Sequence, residues 1–574
     1  MKPVQLRRWR SRDETSSEAV GRLVSALGIH PLTARVLLGR AIDDEAAARA
    51  FFSPRLADLP DPFLLRGMPE AVERLTAALK RDEAIAVHGD YDVDGITATA
   101  LLVAVLSRLG GRVDYHIPLR LKDGYGLSAA ALKQAAGQGS RVVVSVDCGV
   151  SALQEAELAA SLGLDLIITD HHQPPETLPG ATALVNPHQP GCAFPDKYLS
   201  GVGVAFMLLV ALRRRLRQQG WFASRPEPDL RDWLDLVALG TVADLVPLRG
   251  INRAFVRHGL WLMERQPRPG IGALKRVAGV REVTAGAVGF RLAPRLNAAG
   301  RLEDAATGVR LLLSEDARQA GELAERLDAW NRERQQIEQQ TFDAAVQKLA
   351  GLPENYTIVL ADDSWHQGVI GIVASRLVER YGRPTLLIAL DGDLGKGSGR
   401  SIRGFHLYQG LQQCADHLSG FGGHEYAAGF SLSRSAVGEL AAAFERTARQ
   451  LLAADDLRPV LLHDGVVQLD EIDPELVDEL ERLAPFGMGN PEPVFVAEQV
   501  ELHRIETVGD GRHLRCLVRQ AGTSLPAIAF NMGPQAESLR GFHDILFTPA
   551  FNRWNGRVSL QLRLKDLRPA SPAA

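Results

Sequence analysis

Cysteine is scarce: Cys148, Cys192, Cys414 and Cys516 are the only four in 574 residues, and none forms a Cys-x-x-Cys pair. Such scatter excludes a disulfide framework or a zinc ribbon and fits a reducing compartment. A dominant charge sign is also lacking. Lys and Arg number 65 against 69 Asp and Glu, a net charge of −4, so no global basic field marks a nucleic-acid partner and only a local groove can do so. No run approaches the ~20 apolar residues of a membrane helix. Residues 1–12 are polar and basic, without the apolar core of a signal peptide. There is no internal repeat and no low-complexity tract beyond a short Pro/Ala tail. These absences predict a soluble cytoplasmic protein with no membrane association. The 46% hydrophobic and 23% charged content is that of ordinary globular chains, and the length allows three or four domains.

What is present is chemistry at strand ends. Residues 85–95 read Ile-Ala-Val-His-Gly-Asp-Tyr-Asp-Val-Asp-Gly. The apolar run at 84–87 has the character of a buried parallel strand. His88, Asp90, Asp92 and Asp94 follow within seven residues, and the pattern predicts a helix from Thr97 to Leu109. Three carboxylates so close repel one another unless a cation sits among them, and oxygen donors with one nitrogen suit Mg²⁺ or Mn²⁺. The alternative is an acidic, solvated turn in which Asp94 is a helix N-cap. Two more such stretches follow. Residues 141–149 form an apolar run ending in Asp147 and Gly149, and residues 166–172 form one ending in Asp170, His171 and His172. In an open α/β sheet the carboxyl ends of parallel strands line one edge, where ligands bind. His88, Asp92, Asp94, Asp147, Asp170, His171 and His172 are therefore expected to converge. Asp244, after a predicted helix at 230–239, is a further candidate.

Asp170-His171-His172, with the acidic stretch at 90–95, resembles the DHH phosphoesterase superfamily. The full-length pattern resembles its RecJ family of bacterial single-strand-specific 5′→3′ DNA exonucleases. The likeness extends to Gly-Gly-His-Glu-Tyr-Ala-Ala-Gly at 422–429, similar to the signature of the accessory domain that accompanies DHH domains. The resemblance implies two-metal hydrolysis of single-stranded DNA to mononucleotides, in recombination and repair. It implies one ion on His88, Asp92 and Asp147 and another on Asp94, Asp147, His171 and Asp244, with Asp147 bridging. Asp90 and His172 are the candidates for proton handling, and Asp170 for orienting a ligand. Imidazole ligands favour Mn²⁺ over the alternative, Mg²⁺. A pocket for the 5′-terminal phosphate is implied between the DHH and accessory domains, from Arg120, Ser398 and Arg400. The implied partners are single-stranded DNA, a single-strand-binding protein and a helicase such as RecQ, with the chain a monomer. One rival reading is a DHH hydrolase on pyrophosphate, short oligonucleotides or cyclic dinucleotides. Another is a non-catalytic DNA-binding scaffold. The barrel and cap described next argue against the first, and the intact ligand set argues against the second.

The predicted architecture is α/β. A helical cap (1–60) precedes a doubly wound parallel-sheet DHH domain (61–310), a long connecting helix (311–352) and a second α/β accessory domain of DHHA1 type (353–455). An all-β OB-fold barrel (456–574) closes the chain. A loop at 289–304 carries Arg295, Asn297 and Arg301, candidates for phosphate contacts with interdomain salt bridges as the alternative. Glycine-rich loops at 395–401 and 422–424, with Ser398, Arg400 and His424, are predicted to form backbone N–H nests for an anion. The charge run at 213–217 is read as a solvated helix face. Five strands are predicted at 500–508, 513–519, 525–530, 544–554 and 557–567. Residues 501–574 hold ten Lys or Arg against six Asp or Glu. With Phe530, Phe551 and Trp554 they offer a basic stacking surface for single strands, unless those rings fill the barrel core.

Overall fold

The runs Ala84–Gly89, Ser140–Val146 and Asp165–Thr169 are apolar on both faces, as strands covered by helices on both sides must be. In the computed structural model, which describes residues 7–12, 16–119, 126–351, 353–554 and 556–570, they are the centre of a five-stranded parallel sheet. Its order is Arg112–His116, Ala84–Gly89, Ser140–Val146, Asp165–Thr169, Ala183–Val185. In chain order this is 2-1-3-4-5, the doubly wound arrangement whose switch point lies between its first and third strands. The helix after the first strand is Val93–Arg108, capped by Asp92, whose side chain accepts from the Gly95 N–H. It therefore starts four residues before the predicted Thr97, and Asp92 rather than Asp94 is the cap. The apolar helices Gly201–Gln218 and Leu234–Ala243 pack against it.

The chain divides into two compact units. The larger comprises residues 11–300, 304–327 and 462–574, and so holds both the parallel sheet and a closed barrel. The smaller comprises residues 328–461 with 1–10 and 301–303. The long helix Ala317–Leu349 starts in the first and ends in the second.

The barrel order is Phe495–Val508, His513–Gln520, Thr523–Ala529, Arg557–Pro569, Phe542–Trp554. The helices Ser17–Leu27, Pro31–Leu38 and Glu45–Phe52 each begin on a side-chain cap, from Ser16, His30 and Asp44. The sequence predicts that they cap the catalytic domain, and Phe51 O and Phe52 O accept from Arg253 and Arg257. Their buried side chains, among them Leu23, Leu32, Leu37 and Phe51, also share one core with Leu476, Phe495, Phe547 and Leu562 of the barrel region.

Two loop expectations are corrected. Residues 288–302 are helical, a π turn at Val288–Leu292 running into Ala293–Leu302. Pro294 follows the π turn directly, at the point where the hydrogen-bond ladder changes its spacing. The glycine-rich stretch at 395–401 is largely the strand Leu394–Arg400, paired on both edges, and 422–423 belong to the strand Gly420–Gly423. In Leu394–Arg400 the backbone amides are spent in two ladders and cannot form an anion nest. The glycines answer to packing: a Cβ on Gly399 would lie 2.7 Å from Leu386 Cδ2.

Candidate metal centre

Each acidic residue is delivered by the end of a strand or of a helix. The strand Ala84–Gly89 carries His88 next to its end, and the turn beyond it carries Asp90, Asp92 and Asp94 into the first turn of the next helix. Ser140–Val146 hands over to Asp147, a non-glycine residue at φ 62°. A side chain held in that region costs of order 1–3 kcal/mol and persists at sites that use it. Asp165–Thr169 hands over to Asp170, His171 and His172. Asp244 is the C-cap of Leu234–Ala243.

These residues meet. Potential ligand atoms of Asp94, His171 and Asp244 all lie within 4.8 Å of one another, as do those of Asp90, Asp92 and Asp147 and those of Asp147, His171 and His172. His171 Nε2 is the hub, 3.1 Å from Asp147 Oδ1, 3.6 Å from Asp244 Oδ2 and 3.9 Å from Asp94 Oδ2. Asp94 is steadied by two amides at the start of the helix Gly201–Gln218, Gly201 N at 2.6 Å from Oδ2 and Val202 N at 2.8 Å from Oδ1. Only glycine fits at 201, since a Cβ there would lie 2.6 Å from the Asp147 carboxylate. The motif reading missed Gly201 and Val202. The small-residue run Ser-Gly-Val-Gly at 200–203 was the available signal.

The other predicted residues fall into place unevenly. Asp170 is buried and accepts from Val150 N, His171 N, His172 N and His172 Nδ1, the last at 2.7 Å. It is committed to holding the His172 imidazole and the backbone of residues 171 and 172. His88 is buried on the adjoining strand, with Nε2 3.1 Å from Gly126 O and its ring stacked on His116. It belongs to none of the three close groups. Asn297 Oδ1 accepts from Val93 N, so it holds the helix that carries the acids. Arg295 donates to Arg291 O and Arg301 to Gly368 O. His424 is exposed beside the Ala427–Ser433 strand and donates its N–H to Ala427 O. Ser398 and Arg400 are adjacent, with Nη1 3.1 Å from Oγ. Arg120 lies outside the described residues, as does the side chain of Trp554.

The electrostatics show strain that a cation relieves. Burial raises Asp94 to about 7, with the Asp92 charge adding to it. Burial raises Asp244 to about 9, with Asp94 and Asp92 adding to it. Burial and the same neighbours push Asp147 well above the carboxylate range. His171 is held down at about 4 by burial and by the His172 charge, and its buried Nε2 faces the carboxylates of Asp147, Asp244 and Asp94. Burial would lower His172 too, but the hydrogen bond and charge of Asp170 outweigh it and carry it to about 9. Neutral imidazole nitrogen and carboxyl oxygens kept protonated by burial, with mutual repulsion adding to it, are a donor set that fits a hard divalent cation.

For the metal-free protein these shifts fix a sign. Asp94 and Asp244 lie above their ordinary 3.8, so their contribution is full below about pH 4 and is lost as pH rises through about 7 and then about 9. His172 loses its contribution between 6.5 and about 9, whereas His171, depressed to about 4, acts only below 6.5. Between pH 6.5 and 9 the chelated protein is therefore expected to lose several degrees of melting temperature. Mn²⁺ should restore more at pH 9 than at 6.5. A melting temperature that stays level or rises across this window in chelator would remove carboxylate repulsion from the account.

Comparison with known proteins gives three domain matches in chain order. The DHH family N-terminal domain matches residues 84–241, the DHHA1 domain 354–450 and the RecJ OB domain 463–566. The single-stranded-DNA-specific exonuclease RecJ of Bacillus subtilis (strain 168) is 40% identical over 568 residues, 97% of this chain and 70% of that protein. RecJ from Thermus thermophilus, solved in complex with Mn²⁺, aligns with a TM-score of 0.85 at 33% identity, covering 99% of this chain and 80% of its own. The same protein in complex with Mg²⁺ aligns at 0.80 and 32% identity, covering 99% and 79%. With all three domains matched in order and that identity sustained over most of both chains, this chain belongs to the RecJ family.

Proposed function

We propose that the protein is a divalent-metal-dependent exonuclease that degrades single-stranded DNA from its 5′ end to mononucleotides, in DNA recombination and repair. The observation that carries this reading is the convergence of Asp90, Asp92, Asp94, Asp147 and Asp244 with two imidazoles at the sheet's switch point. We assign His88, Asp92 and Asp147 to one Mn²⁺ and Asp94, Asp147, His171 and Asp244 to a second, with Mg²⁺ as the alternative ion. Two bound ions supply Lewis-acid chemistry, activating water and neutralising charge on a phosphodiester. The chain's own residues supply the rest. Asp170 fixes His172 through Nδ1, leaving the Nε2 proton of a cationic imidazole available at neutral pH as the donor to the departing 3′ oxygen. We assign Asp90 to accepting a proton or to holding its neighbours.

Polarity needs an end reader. Ser398 and Arg400 converge over the first turn of the helix Ile370–Tyr381. A Cβ on Gly371 would lie 2.9 Å from Ser398 Oγ and 3.0 Å from Arg400 Nη2. A helix N-terminus beside a hydroxyl and a guanidinium suits a phosphate, and Gly371 joins Ser398 and Arg400 in this assignment. Each hydrolysis that releases a 5′-mononucleotide leaves a new 5′-phosphate, so one such site serves every cycle. Arg400→Ala is expected to remove a charge-assisted contact of roughly 1.5–3 kcal/mol. The preference for 5′-phosphate over 5′-hydroxyl ends should fall about 10- to 100-fold, with metal binding intact. Equal preference in mutant and wild type would take the end-reading role away from Arg400.

The reading as a whole is tested with purified protein and Mn²⁺ on single-stranded DNA, duplex DNA, a dinucleotide and pyrophosphate. Rapid loss of mononucleotides from the 5′ end of the single strand is expected. Preferential hydrolysis of pyrophosphate or the dinucleotide would favour a small-substrate enzyme, and no hydrolysis a scaffold. A single-strand-binding protein and a helicase such as RecQ fit as partners of such an enzyme.

A further inference from the structure

A cavity of about 570 Å³ in the larger unit is lined by none of the metal-ligand candidates. The helix Glu45–Phe52, residues 195–198 and the start of the helix Gly250–Arg265 bound it. Arg40, Lys197, Arg249 and Arg253 line it, and among the described residues none of the four pairs with a carboxylate. Of the two carboxylates on its wall, Asp58 is neutralised and Asp196 is held by backbone amides alone. Asp58 grips Arg55 through both oxygens, at 2.9 and 2.7 Å, and Asp196 accepts from Tyr198 N and Ile251 N.

Two of these cations are buried outright, Arg40 at 2% and Arg253 at 1% exposure. Arg40 donates to Val36 O and Pro491 O, and Arg253 to Phe51 O, Ala484 O and Pro485 O. Carbonyls satisfy N–H groups without neutralising them, and an uncompensated buried charge is costly. Arg40 Nε is buried with no acceptor among the described residues. Burial, with Arg257 and Arg40 adding repulsion, lowers Arg253 to about 9. Burial lowers Arg40 to about 10 against the pull of Asp464, itself 3.3 Å from Arg12. Positive charge gathered around an open cavity favours an anion. Tyr198, 61% exposed, lines the same space and offers a flat ring, the surface on which a base stacks. The volume is in the range of small-ligand pockets.

We propose that this cavity binds a nucleoside monophosphate, with its phosphate on Lys197 and Arg249, beside the buried charges of Arg40 and Arg253, and its base on Tyr198. The idea rests on the exonuclease reading only for the ligand's source, since 5′-mononucleotides are the product that reading releases. Calorimetric titration of the full-length Asp147→Asn, Arg400→Ala double variant with dAMP is the test, because it lacks the metal bridge and the proposed end reader. One dAMP is expected per chain, with inorganic phosphate and deoxyadenosine each binding at least about 10-fold more weakly. Adding Tyr198→Ala or Arg249→Ala, both at exposed positions, is expected to weaken dAMP at least about 10-fold, a loss of about 1.4 kcal/mol. Absence of dAMP binding in the double variant overturns the proposal, as does binding that neither cavity substitution alters. None of these readouts uses hydrolysis, so they stand or fall separately from the nuclease activity.

Discussion

Asp147→Asn is expected to leave a folded protein that holds neither ion and degrades single-stranded DNA roughly a thousandfold more slowly or worse, about 4 kcal/mol of lost transition-state stabilisation. Asparagine is the informative substitution because it tolerates the left-handed backbone of position 147 better than alanine does. It keeps the shape of the carboxylate and removes only its charge. Asp147 faces Asp94, Asp92, Asp244 and Asp90, each of which raises its pKa. The neutral variant should therefore be more stable than wild type without metal, by a margin that grows with pH. Mn²⁺ should no longer raise its melting temperature. Gain of metal-free stability together with loss of metal-dependent stability and activity is a signature that misfolding cannot produce. Near-normal nuclease activity, or an undiminished Mn²⁺ shift, would defeat the assignment of Asp147 as the bridge.

The parts of this molecule that were legible in the sequence are those dictated by local chemistry. Val142, Val144, Ile167 and Ile168 had to be buried strand residues, and an apolar strand followed by Asp147 or by Asp170-His171-His172 had to end at a sheet edge. Strand parallelism then brings those ends together without further information, so the acidic cluster was legible before its geometry was. The barrel strands were legible for the same reason, each running between clear turns.

Features that depend on distant packing were not legible. The glycines at 395–399 look like a loop in isolation. They are a central strand because Phe430, Leu386 and Leu407 fill the space their side chains would take. Residues 288–302 look like a loop because glycine, proline and asparagine punctuate them. Tertiary contact overrides this, with Asn297 spent on the Val93 amide. The amides of Gly201 and Val202 lie over a hundred residues from Asp94, and no local pattern announces that pairing. The alliance of the first helices with the barrel is the largest such case, as it joins the two ends of the chain.

That alliance changes what removal of the barrel does. Truncation after residue 455 is not expected to yield a soluble nuclease core that has merely lost a DNA-binding module. It would strip the shared core from Leu23, Leu32, Leu37, Phe51 and Phe52, each worth roughly 1.5–3 kcal/mol of burial. That total rivals the whole stability of a domain, about 5–15 kcal/mol. Arg253 would also lose its acceptors at Ala484 and Pro485. Aggregation, or rapid proteolysis within the first sixty residues, is the expected result. A well-behaved truncated protein whose N-terminal helices still resist protease would contradict the shared core.

The contribution of the barrel to DNA binding has to be read from its surface instead. Of its basic residues, Arg515, Arg553, Arg563, Lys565 and Arg568 pair with Glu506, Glu481, Glu492 and Asp544. Arg504, Arg512, Arg519, Arg540 and Arg557 have no carboxylate partner among the described residues and are exposed. Phe551 packs on the barrel core, whereas Phe530 is 53% exposed. Phe530→Ala is expected to cost about 1–3 kcal/mol of binding to long single strands if a base stacks there. Arg504→Ala with Arg512→Ala should flatten the salt dependence by about 0.7 log units per log salt for each phosphate contact removed. Hydrolysis of very short oligonucleotides should hardly change in either variant. An unaltered salt slope and unaltered long-strand affinity in both would mean that this face of the barrel does not touch DNA.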